Sequence, residues 1–228
     1  MKQTIYKNLL ASVLWFSGFI FADGALDTAN FNSPNGFLSQ SATTFGFPAF
    51  ASFQYNAGAV QTDGKIIAVG NTTSVGNSFI AARYTTAGAL DTTFNGVGYI
   101  DINFGAGITG ITASAIAILN DGRIVIGGTA RLTDNLERWA LAMLQPNGTL
   151  DTTFFGGLAT VQGTVVTEFN AVQANLFGLA IQEDGKIVAV GRVFPFGGQF
   201  RFGVARYNLN GSLDTSFNAA GSIPGTTV

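Results

Sequence analysis

The stretch GALDTTFNGVG, residues 88–98, contains a phrase that occurs four times in the chain. It returns as GTLDTTFFGG at 148–157, as GSLDTSFN at 211–218 and, in a looser form, as GALDTANFN at 24–32. The leucines of the four copies lie 64, 60 and 63 residues apart, at Leu26, Leu90, Leu150 and Leu213. A spacing this regular is typical of a protein built from a repeated structural unit.

Two further segments recur in the same order and with nearly the same spacing. One contains an Asp-Gly pair followed by an apolar run, and its copies are QTDGKIIAVG (61–70), LNDGRIVIGG (119–128) and QEDGKIVAVG (182–191). The other is a short apolar segment, and its copies are FIAARY (79–84), WALAML (139–144) and FGVARY (202–207). Three segments in a fixed order define a repeat of about 60 residues.

Within one repeat, the sequence predicts an antiparallel meander. Asp-Gly between two apolar runs is a strong signal for a β-hairpin, because both residues tolerate the positive φ of a tight turn. The run KIIAVG at 65–70 is rich in β-branched residues, as expected of a buried strand. With a fourth candidate strand such as GYIDINF at 98–104, the repeat has the size of one propeller blade.

We therefore expect an all-β fold, an incomplete β-propeller of about three four-stranded antiparallel blades plus an extra outer-strand segment. The expected repeats lie at about 57–104, 113–169 and 177–228, with a partial unit at 24–56, all within a domain at 23–228. An open arc leaves apolar blade faces uncovered and favours self-association. A homo-oligomer that closes the ring and a shortened relative of a longer propeller are the two alternatives.

The order of these motifs resembles that of the bacterial delta-60 repeat, a family of exported proteins similar to β-propellers. The resemblance covers roughly residues 57–217 and rests on DGKI followed by an ARY segment and the Leu-Asp-Thr phrase. The second repeat departs from it, since Met143 and Leu144 replace the Arg-Tyr pair of the other two. The resemblance implies a propeller fold, and it implies no reaction.

The N-terminus reads as an export signal at residues 1–22. Lys2 and Lys7 precede the uncharged stretch 8–22, whose 15 residues are fewer than the roughly 20 of a spanning helix. Without Cys, the chain has no disulfide framework and no lipid-modified cysteine. We expect a secreted or periplasmic protein without stable membrane insertion. Cleavage would leave 9 basic and 13 acidic residues, a balance that does not suggest a nucleic-acid partner.

The Leu-Asp-Thr phrase itself is expected to be a structural joint. Asp and Thr side chains accept hydrogen bonds from backbone N–H groups just ahead of them, and Leu and Phe would pack between neighbouring sheets. The alternative makes the aspartates metal ligands, at Asp27, Asp91, Asp151 and Asp214. A calcium loop usually clusters several oxygen ligands within about a dozen residues, whereas each phrase offers one acid. We predict no metal site and no cofactor.

Composition restricts the chemistry that the chain can perform. The sequence contains no His and no Cys, which removes histidine-dependent triads and ordinary zinc sites. A pair of carboxylates, as in glycoside hydrolysis, remains a possible route to a hydrolase. The acids outside the repeated positions, Asp134, Glu137 and Glu168, have no sequence feature that pairs them. A noncatalytic protein is therefore the expectation, and a carboxylate-based hydrolase is the least favoured function.

Recognition is expected in the loops between the second and third strands of the blades, which vary while the scaffold repeats. These loops are 71–78, 129–138 and 192–201. The candidate binding residues are Arg131, Glu137, Arg138, Arg192, Phe194, Phe196, Phe200 and Arg201. The leading hypothesis is an exported module that binds an extracellular ligand. The alternatives are an assembly element that self-associates, and phenylalanines that only cover the sheet edge.

Overall fold

The structure is a computed structural model that describes residues 53–72 and 78–228. The expected signal peptide (1–22), the partial unit up to residue 52 and loop residues 73–77 lie outside this part. The described chain is all-β and forms three sheets, which confirms the predicted fold class. No helix in the two described ranges is long and apolar enough to span a membrane.

Each sheet is one blade, and the strands of blades 1 and 3 follow one another in chain order. In blade 2 the last two strands exchange places, and its five strands exceed the four that the sequence predicts. Blade 1 contains β1 (Phe53–Val60), β2 (Ile66–Thr72), β3 (Ser78–Tyr84) and β4 (Tyr99–Ile102). Blade 2 contains β5 (Ile108–Ile118), β6 (Ile124–Leu132), β7 (Glu137–Leu144), β8 (Gly156–Gly157) and β9 (Thr164–Thr167). Blade 3 contains β10 (Ala171–Ile181), β11 (Ile187–Pro195), β12 (Arg201–Tyr207) and β13 (Thr226–Thr227). All pairings are antiparallel except that of β8, a two-residue strand parallel to β9.

The Asp-Gly pairs form the predicted hairpin turns between the first two strands of each blade. In blade 1, Val60 pairs with Ile66 across the turn, and Gly64 has a φ of 85°. The Asp63 carboxylate accepts a hydrogen bond from the backbone N–H of Lys65 at 3.1 Å. Asp121 and Asp184 accept the same bond in the other blades. The predicted hairpins are therefore confirmed. Only the glycine of each pair adopts a positive φ, whereas the aspartate stabilises the turn through its side chain.

Close packing of the backbone requires the glycine that lies seven residues after each of these aspartates. The first strand of every blade carries a β-bulge, which pushes a backbone carbonyl toward the second strand. A Cβ at Gly128 would lie 2.0 Å from the carbonyl oxygen of Thr112, and a Cβ at Gly191 would lie 2.1 Å from that of Asn175. Only glycine leaves room for this close approach.

The apolar core lies between the blades. Ile67, Val69 and Phe79 of blade 1 pack with Ile124 and other residues of blade 2 in one buried cluster. A second buried cluster joins the opposite side of blade 2, including Trp139, to blade 3. The repeated phrase contributes to the first joint, because Gly148 of blade 2 approaches the buried ring of Phe94 from blade 1. Each blade is therefore stabilised largely by its neighbour.

Candidate functional site

The aspartate of the phrase in blade 1, Asp91, is the centre of a buried polar joint. One carboxylate oxygen accepts hydrogen bonds from the backbone N–H and the hydroxyl of Thr93, at 3.1 and 2.6 Å. The other oxygen accepts a hydrogen bond from Arg83 Nε at 2.8 Å and lies 3.2 Å from Lys65 Nζ. Both oxygens are occupied by groups of the chain itself. The joint therefore stabilises the turn and binds the phrase to the second and third strands.

The same joint recurs in blade 3, where Asp214 is held by Ser216, Lys186 and Arg206. Blade 2 lacks the arginine because Met143 stands at that position, and Arg123 replaces the lysine. Arg123 Nη1 donates to Asp151 at 3.2 Å, and its Nε donates to Asp121 at 2.8 Å.

The cation partners of the aspartates were not foreseen from the sequence. The signal that could have found them is the paired exchange in the second repeat, where Lys becomes Arg at position 123 and Arg becomes Met at position 143. Arg123 takes the place of Lys65 and Lys186 and adds no charge. Asp151 therefore pairs with one cation, whereas Asp91 and Asp214 each pair with two.

Four of the candidate binding residues form a connected surface at the loop end of blades 2 and 3. Arg131 donates to Glu137 at 2.8 Å, and Asn175 donates to the other carboxylate oxygen of Glu137, also at 2.8 Å. Arg192 Nε donates to the side-chain oxygen of Asn175 at 2.9 Å. The guanidinium carbon of Arg192 lies 4.6 Å from the centre of the Phe200 ring. Asn175 links the two blades here, and sequence reasoning missed it because Asn175 lies outside the three predicted loops. Those loops were predicted too long, since Arg131, Glu137 and Arg192 lie in β6, β7 and β11.

The remaining aromatic candidates extend this surface along the loop of blade 3. The rings of Phe194 and Phe200 lie 4.8 Å apart. Phe200 is 52% exposed and Phe196 is 61% exposed, and Arg201 is also exposed. We call Arg192, Phe194, Phe196, Phe200 and Arg201 the loop-end surface.

Arg138 differs from the other candidates because it is buried. Its guanidinium group is held by Asp134 at 2.8 Å and by Glu168 on the neighbouring strand connection. It is therefore engaged inside blade 2 and does not join the loop-end surface. This contact also explains two of the three acids outside the repeated positions, since Asp134 and Glu168 share one arginine. The third, Glu137, lies between Arg131 and Asn175.

The repeated segments match a known family. The model described as "Domain of unknown function (DUF5122) beta-propeller" matches the chain at residues 61–94, 119–154 and 182–217. Each match runs from the hairpin turn to the phenylalanine of the phrase. Each blade contains one segment that matches the DUF5122 β-propeller model. A search of curated proteins gives no match.

Blade 2 borders a groove of about 310 Å³, lined by Asp121, Arg123, Gln145, Pro146, Asp151 and Thr153. Arg123 lies between the two carboxylates of this groove. Burial would raise the pKa of Asp121 and of Asp151, but the hydrogen bonds that each accepts outweigh it and lower both pKa values. Two ionised carboxylates sharing an arginine offer no general acid near neutral pH.

The joints around Asp91, Asp151 and Asp214 are expected to make the protein sensitive to acid. Burial alone would raise the pKa of Asp91, but hydrogen bonds from Thr93 and Lys65 and the charge of Arg83 lower it to about 2. The hydrogen bond from Lys186 lowers the pKa of Asp214 as well. A depressed pKa contributes stability above the unfolded value, and this stability is lost as the pH falls through the folded value. Urea unfolding should therefore show a falling midpoint between about pH 4 and pH 2.

A variant separates this titration from general acid unfolding. Asp214→Asn removes one of the three titrating joints, so the loss of stability between these pH values should be smaller than in the unmodified chain. An unchanged midpoint between about pH 5 and pH 2 in the unmodified chain would contradict the prediction.

Proposed function

We propose that this protein is an exported, noncatalytic interaction module that binds a protein partner through the loop-end surface. The observation that carries the proposal is the pair of half-exposed rings, Phe196 and Phe200, beside the stacked guanidinium of Arg192. Aromatic residues and arginine are enriched at the energetic centres of protein interfaces. An arginine that already stacks on a ring is partly preorganised for such a contact.

The geometry around this surface supports binding by a fixed shape. Arg192 is held through Asn175 and Glu137 to Arg131, so the surface is connected to both blades. Partial burial raises the pKa of Glu137, but hydrogen bonds from Arg131 and Asn175 outweigh it and lower that pKa. Glu137 therefore keeps its negative charge between the two arginines at neutral pH. The side chains of this surface therefore lose little conformational entropy when a partner binds.

The export and the noncatalytic role belong to the same proposal. Export is supported by the lysine-flanked apolar stretch at 8–22 and by the resemblance to the exported delta-60 repeat family. A noncatalytic role is supported by the ion pairs that hold Asp121, Asp134, Asp151 and Glu168. A hydrolase built on two carboxylates would need one of them to be protonated in a pocket.

An assembly element that self-associates is the second candidate function. It is supported by an observation on a different surface, the exposed apolar side chains on the outer face of blade 3, among them Phe177 and Phe202. The two surfaces adjoin at Arg192, which lies near both Phe177 and Phe200, but substitutions at Phe200 and at Phe202 test the two functions separately.

Affinity capture with matched variants tests the interaction function. The purified protein, its Phe196→Ser/Phe200→Ser variant and a Phe155→Ser/Leu158→Ser control are immobilised and incubated with the cell-envelope and extracellular fractions of the producing organism. The control removes exposed apolar side chains from blade 2. We expect the loop-end variant to retain less than about a tenth of the partner captured by the other two, since an aromatic hot spot contributes at least 2 kcal/mol. Equal capture by all three, or capture by none, would contradict the proposal.

A further inference from the structure

The outer face of blade 3 occupies the position at which each other blade contacts its successor. Phe79 in blade 1, Trp139 in blade 2 and Phe202 in blade 3 stand at the same place in the repeat. Phe79 and Trp139 are fully buried against the following blade, whereas Phe202 is 92% exposed. Phe94 and Phe154 of the phrase are likewise fully buried, whereas their counterpart Phe217 is only partly buried. Among the described residues, blade 3 therefore presents an uncovered interblade interface.

The apolar side chains on this face extend across three strands of the sheet. They come from β10, β11 and β12, and we call Phe177, Val188, Val190, Phe202 and Val204 the terminal face. Phe177 is 58% exposed and Val190 is 42% exposed. Large apolar patches on a soluble protein mark sites of association.

The terminal face nevertheless differs from the two covered interfaces in its polar chemistry. At the bulge of the first strand, Asn56 donates to the carbonyl of Ala113 in blade 2 at 2.8 Å, and Ser114 donates to the carbonyl of Leu176 in blade 3 at 2.5 Å. The corresponding residue of blade 3 is Phe177, which has no donor. A following blade in the usual arrangement would lose this hydrogen bond.

A second polar link has changed in the same way. In blade 2, the Thr129 hydroxyl accepts a hydrogen bond from the backbone N–H of Leu176 in blade 3, at 3.3 Å. The corresponding residue of blade 3 is Arg192, which has no acceptor. Its guanidinium group instead bonds Asn175 and lies 5.8 Å from the Phe177 ring. The terminal face therefore has the apolar side chains of an interblade interface. At the positions of two polar links it has instead the Phe177 ring and the stacked guanidinium group of Arg192.

The other end of the arc does not offer a matching surface. Ala68, Ala82 and Tyr84 lie on the opposite side of blade 1, and all three are buried. A head-to-tail contact between two copies needs both ends uncovered, whereas of the two ends of the described arc the terminal face alone is exposed. An isologous contact needs one surface, used once by each copy.

We propose that two copies of this chain pair through their terminal faces about a two-fold axis. Each copy buries Phe177, Val190 and Phe202 against the same residues of the other copy. The pairing does not require the backbones of the two facing blades to align with each other. The cations of this region already have partners in their own chain, since Arg206 is held by Asp214 and Arg192 by Asn175. This pairing closes the assembly at two copies and does not complete a propeller ring. It does not depend on what the loop-end surface binds.

Light scattering over about a hundredfold range of concentration tests the pairing. The samples are the purified protein in its natural processed form, the variant Phe202→Asp and the control Leu158→Asp, which places the same charge on an exposed apolar position of blade 2. We expect a dimer for the unmodified protein and for the control. Phe202→Asp should raise the dissociation constant of the dimer at least about 30-fold, as for the loss of an interface hot spot.

Three results would overturn the proposal: a monomer at every concentration, a dimer that Phe202→Asp leaves intact, and a series of larger open oligomers, which would indicate a head-to-tail contact. Circular dichroism of Phe202→Asp checks its fold, and Val190→Asp provides an independent variant on the neighbouring strand. Because the capture experiment uses Phe196 and Phe200, its failure would leave the pairing intact, and the reverse also holds.

Discussion

Replacing Asp91 with alanine should lower the free energy of unfolding by about 3–5 kcal/mol, the range for breaking a buried ion pair by removing one partner. Arg83 is buried beside this carboxylate, and its Nε would lose the acceptor at 2.8 Å. The turn would also lose the two hydrogen bonds that Thr93 donates. The effect should exceed that of an ordinary turn substitution because a buried cation is left without its counter-charge. Urea unfolding followed by circular dichroism at neutral pH measures it.

Asp63→Ala is the matched control for this prediction. Asp63 is also an aspartate beside Lys65, at 3.4 Å, and it also accepts a turn N–H, but its side chain is exposed. Exposed ion pairs contribute about 0–1 kcal/mol, so this variant should remain close to the unmodified chain. Equal losses for Asp63→Ala and Asp91→Ala would mean that burial of the joint is not what gives Asp91 its importance.

The sequence was a good guide wherever local chemistry repeats. The hairpin at Gly64 and the turn around Asp91 depend on residues within a few positions of one another, so their structure follows from turn chemistry alone. The spacing of the phrase then predicted blades of equal size, and the fold followed. The reason for glycine at 128 needed the structure, because the carbonyl that approaches it belongs to Thr112, on the neighbouring strand.

The candidate site was predicted less well, for two physical reasons. Arg138 falls within a predicted loop but lies in β7, and its partner Glu168 is 30 residues away, so this distant ion pair leaves no local pattern in the sequence. Phe202 carries the same sequence pattern as Phe79, so the pattern indicates a buried core position for both. Whether that position is covered depends on whether another blade follows, which is a property of the assembly.

Replacing Trp139 with alanine should destabilise the protein by about 3–5 kcal/mol, the usual range for deleting a large aromatic side chain from a core. Trp139 is fully buried, and its ring packs edge-on against Phe169 with the ring centres 4.6 Å apart. It also fills the space left by Gly191 and Gly203 of blade 3. The cavity would therefore open between two blades whose backbones are already in close contact, where they cannot move together to fill it.

Phe202→Ala is the matched control for Trp139→Ala, because it deletes an aromatic ring from the same position of the next repeat. With Phe202 exposed, the stability of the dissociated chain should change by no more than about 0.5 kcal/mol. Unfolding by urea, followed by circular dichroism at a concentration low enough to dissociate any dimer, gives both values. A loss below about 1 kcal/mol for Trp139→Ala would mean that blades 2 and 3 do not share a core. Equal losses for the two variants would mean that the last blade is covered within its own chain, which would remove the physical basis for pairing through the terminal face.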